Sequence, residues 1–100
     1  MDKNCVIGGR ELALRYTVNA LCAVEEIAGG SLDKLMEKQF TASRLLLWGA
    51  LRETMPELTL AQAGELIGAH LRAGGTIEEI VNLCADALTE AGFFGATDEK

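Results

Sequence analysis

Three features of this 100-residue chain predict a mostly α fold, a compact bundle of about five helices preceded by a short N-terminal β-hairpin. Apolar residues make up 49% of the chain, and Leu and Ala outnumber the β-branched types, which favours helix over sheet. Glycine pairs at Gly8-Gly9, Gly29-Gly30 and Gly74-Gly75 punctuate the chain. Hydroxyl residues that can cap helices stand at Thr17, Ser31, Thr59 and Thr76, each ahead of an apolar run. The length suits one domain, taken as 1–94, with 95–100 a flexible acidic tail.

The hairpin is expected over about 4–16. Gly8-Gly9 can supply the positive φ angles of a tight turn, and Leu12, Leu14 and Tyr16 then alternate with Glu11, Ala13 and Arg15. An isolated hairpin is marginal in water, so it must lie on the helices. Thr17 caps a first helix running to about Ala28, with Val18, Leu21, Val24 and Ala28 as its buried stripe. Ser31 caps a short second helix from Leu32 to about Lys38. A third runs from Thr41 to near Thr54, where Pro56 prevents continuation. Thr59-Leu60-Ala61-Gln62 and Thr76-Ile77-Glu78-Glu79 are capping boxes that open a fourth helix, to about Arg72, and a fifth. The fifth has the cleanest helical period, with Ile77, Ile80, Val81, Cys84, Leu88 and Ala91 on one face and Gly92 as its stop. Phe93-Phe94 is expected to fold back onto the core. The likeness of Ala28–Met36 to Ala73–Val81 reads as one device used twice, a glycine stop followed by a hydroxyl cap.

The third helix differs from the others. Leu47, Trp48, Leu51 and Met55 cluster on one side at ~100° per residue, while Leu46 lies nearly opposite among Ala42, Gly49 and Ala50. A helix apolar on nearly all sides is either central to the fold or a surface for a partner. Leaving each large side chain in water would forgo roughly 1.5–3 kcal/mol, so burial is expected, within one chain or between chains. As a protein interface, the candidate residues are Leu47, Trp48, Leu51 and Met55.

Charge and motif content argue against catalysis and against nucleic acid. The net charge is −6, and the nine Lys and Arg are scattered rather than clustered, which disfavours duplex nucleic acid and anionic membranes as partners. A helix-turn-helix reading of Leu58–Gly68 is the competitor from another class, but the following helix opens with Glu78 and Glu79 where phosphates would lie. The N-terminus lacks the pattern of a signal peptide and no apolar run is long enough to span a bilayer, so a soluble protein is expected. Cys5, Cys22 and Cys84 form no metal-binding spacing and no disulfide framework, and Cys22 and Cys84 are expected on apolar helix faces. The single histidine, His70, has no companion nucleophile at a telling spacing and reads as a boundary residue near a helix C-terminus. No catalytic, cofactor or metal site is expected.

The order of elements resembles the small tail assembly chaperones of long-tailed bacteriophages and prophages. The matching residues are the hairpin end Gly9–Thr17, the helix end Glu25–Leu32, the middle helix Leu45–Leu51, and Met55-Pro56-Glu57-Leu58-Thr59 leading into an acidic helix. The likeness spans about residues 4–92 and rests on fold-forming positions. The resemblance implies a non-enzymatic protein of the host cytoplasm, absent from the mature virion. Such a protein binds the tape measure protein, helps recruit tail tube subunits, and in many members has a longer frameshifted form. Self-association into a homo-oligomer is possible in this reading, and a structural interaction module or virion connector is the alternative.

Overall fold

The computed structural model describes residues 3–29 and 37–92. Strands β1 (Lys3–Ile7) and β2 (Arg10–Leu14) form an antiparallel hairpin with Ile7 opposite Arg10 and Lys3 opposite Leu14. Gly8 and Gly9 take φ of 61° and 80°, the conformation of a two-residue hairpin turn whose twist matches the strands. Gly8 is also required by proximity, since a Cβ there would lie 3.0 Å from the Leu66 carbonyl oxygen and 3.1 Å from the Ala69 Cβ. The turn therefore sits directly on a helix. Period-2 alternation survives intact: Leu12, Leu14 and Tyr16 are buried while Glu11 and Arg15 are exposed.

Four helices follow among the described residues: α1 (Val18–Ala28), α2 (Gln39–Leu51), α3 (Leu60–Arg72) and α4 (Ile77–Glu90). The count is four rather than about five, because the short helix expected from Leu32 to Lys38 falls almost wholly outside the described residues. Phe93-Phe94 and the tail expected over 95–100 also lie outside them.

The hydroxyl caps act as their spacing requires. Thr17 Oγ1 accepts from the Ala20 N–H, and Thr59 and Thr76 each complete a capping box with Gln62 and Glu79. α2 begins at Gln39, two residues before the Thr41 start expected, and Lys38 ahead of it makes no side-chain cap bond. Its end comes at Leu51 rather than near Thr54, where the Arg52 N–H turns back to the Gly49 carbonyl and the helix tightens before Pro56.

Helix α2 is the centre of the fold. From Ala42 to Leu51 every residue except Arg44 is buried, because β2, α1, α3 and α4 pack around it. Leu47 and Leu51 join Ile7, Leu14, Ile80 and Cys84 in the main core, and Trp48 joins Val24, Ala42, Leu45 and Ala63 in a second cluster. Gly49 lets α1 approach, since a Cβ there would lie only 2.5 Å from Val24 Cγ2. Tyr16 links hairpin to helix by donating its hydroxyl hydrogen to the Leu46 carbonyl at 2.6 Å. β2 is tied to the same helix where the Arg15 N–H donates to the Ala50 carbonyl at 2.8 Å.

The buried stripe of α1 is displaced from the one expected. Ala20 and Val24 are buried, Leu21 and Ala28 are half-buried, and Val18 is 64% exposed. At ~100° per residue Val18 lies about 120° around the helix from Val24, whereas Ala20 lies only about 40° away. Cys22 points to solvent for the same reason, and Cys84 alone of the two helical cysteines is buried. On α4 the buried set is Ile77, Ile80, Cys84 and Ala87, while Ala91 is past the helix end and exposed.

Candidate interaction surface

The four residues singled out on the middle helix occupy different places. Leu47 and Leu51 have no exposed surface, and Trp48 retains only 9% beneath the Arg52 guanidinium, which lies 4.8 Å from the ring centroid. Burial inside one chain accounts for these three. Met55, beyond the helix end, is half-buried and lines a cleft.

That cleft, about 680 Å³, opens between the hairpin turn, the α2–α3 loop and α3. Its apolar wall comes from Met55, Pro56, Leu58 and Leu66, and its rim carries Arg10, Glu57 and Glu65. The loop that builds it is held by main-chain bonds, with the Met55 N–H donating to the Leu51 carbonyl and the Leu58 N–H to the Met55 carbonyl.

At the other end of α2 lie two smaller adjoining grooves, about 390 and 210 Å³, which share Thr41 and Arg44. Ile27, Ala28, Leu45 and Leu60 line the first, and Phe40, Gly64 and Ile67 the second. Arg44, the one exposed residue of the central run, lays its aliphatic stem toward α3, where a Cβ on Gly64 would meet Arg44 Cδ at 3.3 Å. Phe40 and Ile27 at the rims are 68% and 48% exposed. Single exposed apolar residues are ordinary, but these two line adjoining grooves, which makes this region the candidate contact surface. Sequence reasoning missed both, because exposure of Phe40 depends on which neighbours reach the first turn of α2, and no local period encodes that.

Where α3 meets α4, polar groups bond one another. His70 Nε2 lies 2.8 Å from Glu79 Oε1, and the same carboxylate oxygen accepts the Thr76 N–H at 2.9 Å. The Thr76 bond and then the His70 bond hold the Glu79 carboxyl below its ordinary value. Gly75 makes the arrangement possible, since a Cβ there would collide with the imidazole, 2.2 Å from Nε2. This corner ties α3 to α4. Burial pushes the Cys84 thiol up to about 12, and it raises Tyr16 well above the ordinary phenol value. A thiol so held is a core group, not a nucleophile. Among the described residues no cluster of His, Cys, Asp or Glu is arranged to hold a metal ion, and no helix is long and apolar enough to cross a membrane.

No protein-family model matches the chain, and comparison with curated proteins and with solved structures yields no match.

Proposed function

We propose that the chain is a non-enzymatic tail assembly chaperone of long-tailed bacteriophages or prophages, binding the tape measure protein and helping recruit tail tube subunits. The residues quoted above for that resemblance support the reading, together with one structural observation. Phe40 and Ile27 stand largely exposed at the rims of adjoining apolar grooves on a chain of net charge −6. An apolar client segment can be sheltered at such grooves, while the acidic exterior keeps the complex soluble. On this reading the protein works in the host cytoplasm and leaves before the tail is complete.

The deciding experiment is co-expression with a tape measure protein, comparing wild type with Phe40→Asp and Ile27→Asp. The expected result is a soluble complex with wild type, and a client that precipitates with either variant although the variant itself stays folded. A client equally soluble with and without this chain would overturn the reading. Mass spectrometry of purified virions separates a chaperone, which should be missing, from a connector, which should be present.

A further inference from the structure

We infer that the outer edge of β1 pairs with β1 of a second copy, joining two hairpins into a four-stranded antiparallel sheet centred on Cys5. The inference begins with the register. A two-residue turn makes Ile7 and Arg10 a hydrogen-bonded pair, so Cys5 with Leu12 and Lys3 with Leu14 are bonded pairs as well. The main-chain groups of Asn4 and Val6 on β1, and of Glu11 and Ala13 on β2, therefore point away from the hairpin.

On the β2 side the end of this outward row away from the turn is tied to α2 and to the loop that follows it. Thr54 Oγ1 donates to the Ala13 carbonyl at 2.8 Å, and the Arg15 N–H just beyond the strand donates to Ala50. On the β1 side no hydrogen bond from the described residues reaches the outward groups of Asn4 and Val6. Proteins ordinarily blunt such an edge with charge, proline, a bulge or a covering element. The one charge on β1 is Lys3 at its start, whose Nζ is engaged 3.9 Å from Asp86 and from Glu90; the rest of the strand, Asn4-Cys5-Val6-Ile7, has no charge and no proline, and its register with β2 is unbroken by a bulge. Val6, on the face turned away from the helices, is 57% exposed.

The edge is self-complementary. With Cys5 on a two-fold axis, the Asn4 N–H meets the Val6 carbonyl of the second copy, the Val6 N–H of that copy meets the Asn4 carbonyl, and symmetry repeats both bonds. The two Val6 side chains become diagonal neighbours on one face and cover each other. The residues that pair across the axis, Asn4, Cys5 and Val6, are uncharged, so the strand contact itself sets no like charges against one another. The two Cys5 residues face each other as a non-hydrogen-bonded pair with Cα atoms ~4.5 Å apart, within the range a disulfide can span.

The pairing stands or falls independently of any client. Sedimentation equilibrium of the full chain should show a reversible dimer, with a dissociation constant on the order of micromolar or weaker for so small a contact. Val6→Lys, which sets two like charges diagonally across the junction, should raise that constant about tenfold or more. Asn4→Pro, which removes an outward donor, should do the same, and circular dichroism should show both variants folded. In a Cys22→Ser background, diamide, which takes up the two thiol hydrogens, should yield a dimer bridged through Cys5. A monomer at every concentration overturns the inference, including one whose β1 edge is covered by another part of its own chain. So does a dimer that both variants leave intact. A dimer that the variants break but Cys5 does not bridge is paired in another register, and that also overturns it.

Discussion

Gly49→Ala sets two opposing effects against each other at one atom. In a helix interior, replacing Gly by Ala should stabilise by about 1 kcal/mol through backbone entropy. Here the new methyl would lie 2.5 Å from Val24 Cγ2, against an ordinary carbon–carbon contact of roughly 3.5–4.0 Å. Val24 cannot turn aside easily, because a β-branched side chain in a helix is held in one strongly preferred rotamer. Helix α1 must therefore move outward by about 1 Å, and overpacking of that kind costs roughly 1–3 kcal/mol. The net expectation is a loss of about 1 kcal/mol, seen as a Tm lower by roughly 4–8 °C in a domain of this size. The effect should reverse in a Val24→Ala background, where the obstructing methyls are gone and Gly49→Ala should stabilise by about 1 kcal/mol. Urea denaturation of the four proteins gives the coupling directly, and about 2 kcal/mol is expected. A Gly49→Ala protein at least as stable as wild type, or the same change in both backgrounds, would refute the close approach of α1 and α2.

The Glu79 carboxyl is held below its ordinary value first by the Thr76 N–H and then by His70. A lowered folded-state value makes its contribution complete above the unfolded-state value, and acidification removes it as pH falls through the folded value. The stability difference between wild type and Glu79→Gln should therefore hold at neutral pH and narrow as pH falls below the ordinary carboxylate value of about 4.3, measured by urea midpoints. A difference that widens on acidification would contradict the pairing. Native protein treated with a disulfide reagent should label rapidly at Cys22 and slowly at half-buried Cys5, while Cys84 should label only on unfolding. Rapid labelling of Cys84 in the native state would show that the main core is open. Tyr16→Phe deletes a buried hydroxyl bonded to Leu46, and should cost about 1 kcal/mol without changing the circular dichroism spectrum.

What the sequence could convey follows from how local each determinant is. The hairpin was legible because Gly8-Gly9 and the alternation of Leu12, Leu14 and Tyr16 act within a few residues. The starts of α1, α3 and α4 were legible because a hydroxyl cap bonds an N–H only two or three positions away. The start of α2 was not, since no side chain caps it. The α1 stripe misled because Ala20, Leu21, Cys22, Ala23 and Val24 are all small or apolar, so composition alone does not choose the buried side. Tertiary contact chose it: Gly49 on α2 admits Ala20 and Val24, and leaves Val18 and Cys22 in water. An all-round apolar α2 likewise announces burial without saying which side meets which neighbour. Phe40 and Ile27 gave no signal because an exposed apolar residue looks the same in sequence as a buried one.

The position of α2 also decides which variants can test binding. Trp48 is buried against Val24, Leu45 and Ala63, so Trp48→Ala would cost about 3–5 kcal/mol, out of the 5–15 kcal/mol that holds a typical domain together. Lost client binding in that protein would report damage to the core as readily as loss of a contact. The same holds for Leu47 and Leu51, which have no exposed surface. Surface contacts that leave the core intact must be sought at the two ends of the helix. Those ends are about 20 Å apart for the 13 residues from Gln39 to Leu51. Phe40 marks one end, and Met55 the cleft beyond the other. Substitution of Phe40 removes apolar surface already in water, so its effect on stability should be small and any effect on a client should be its own.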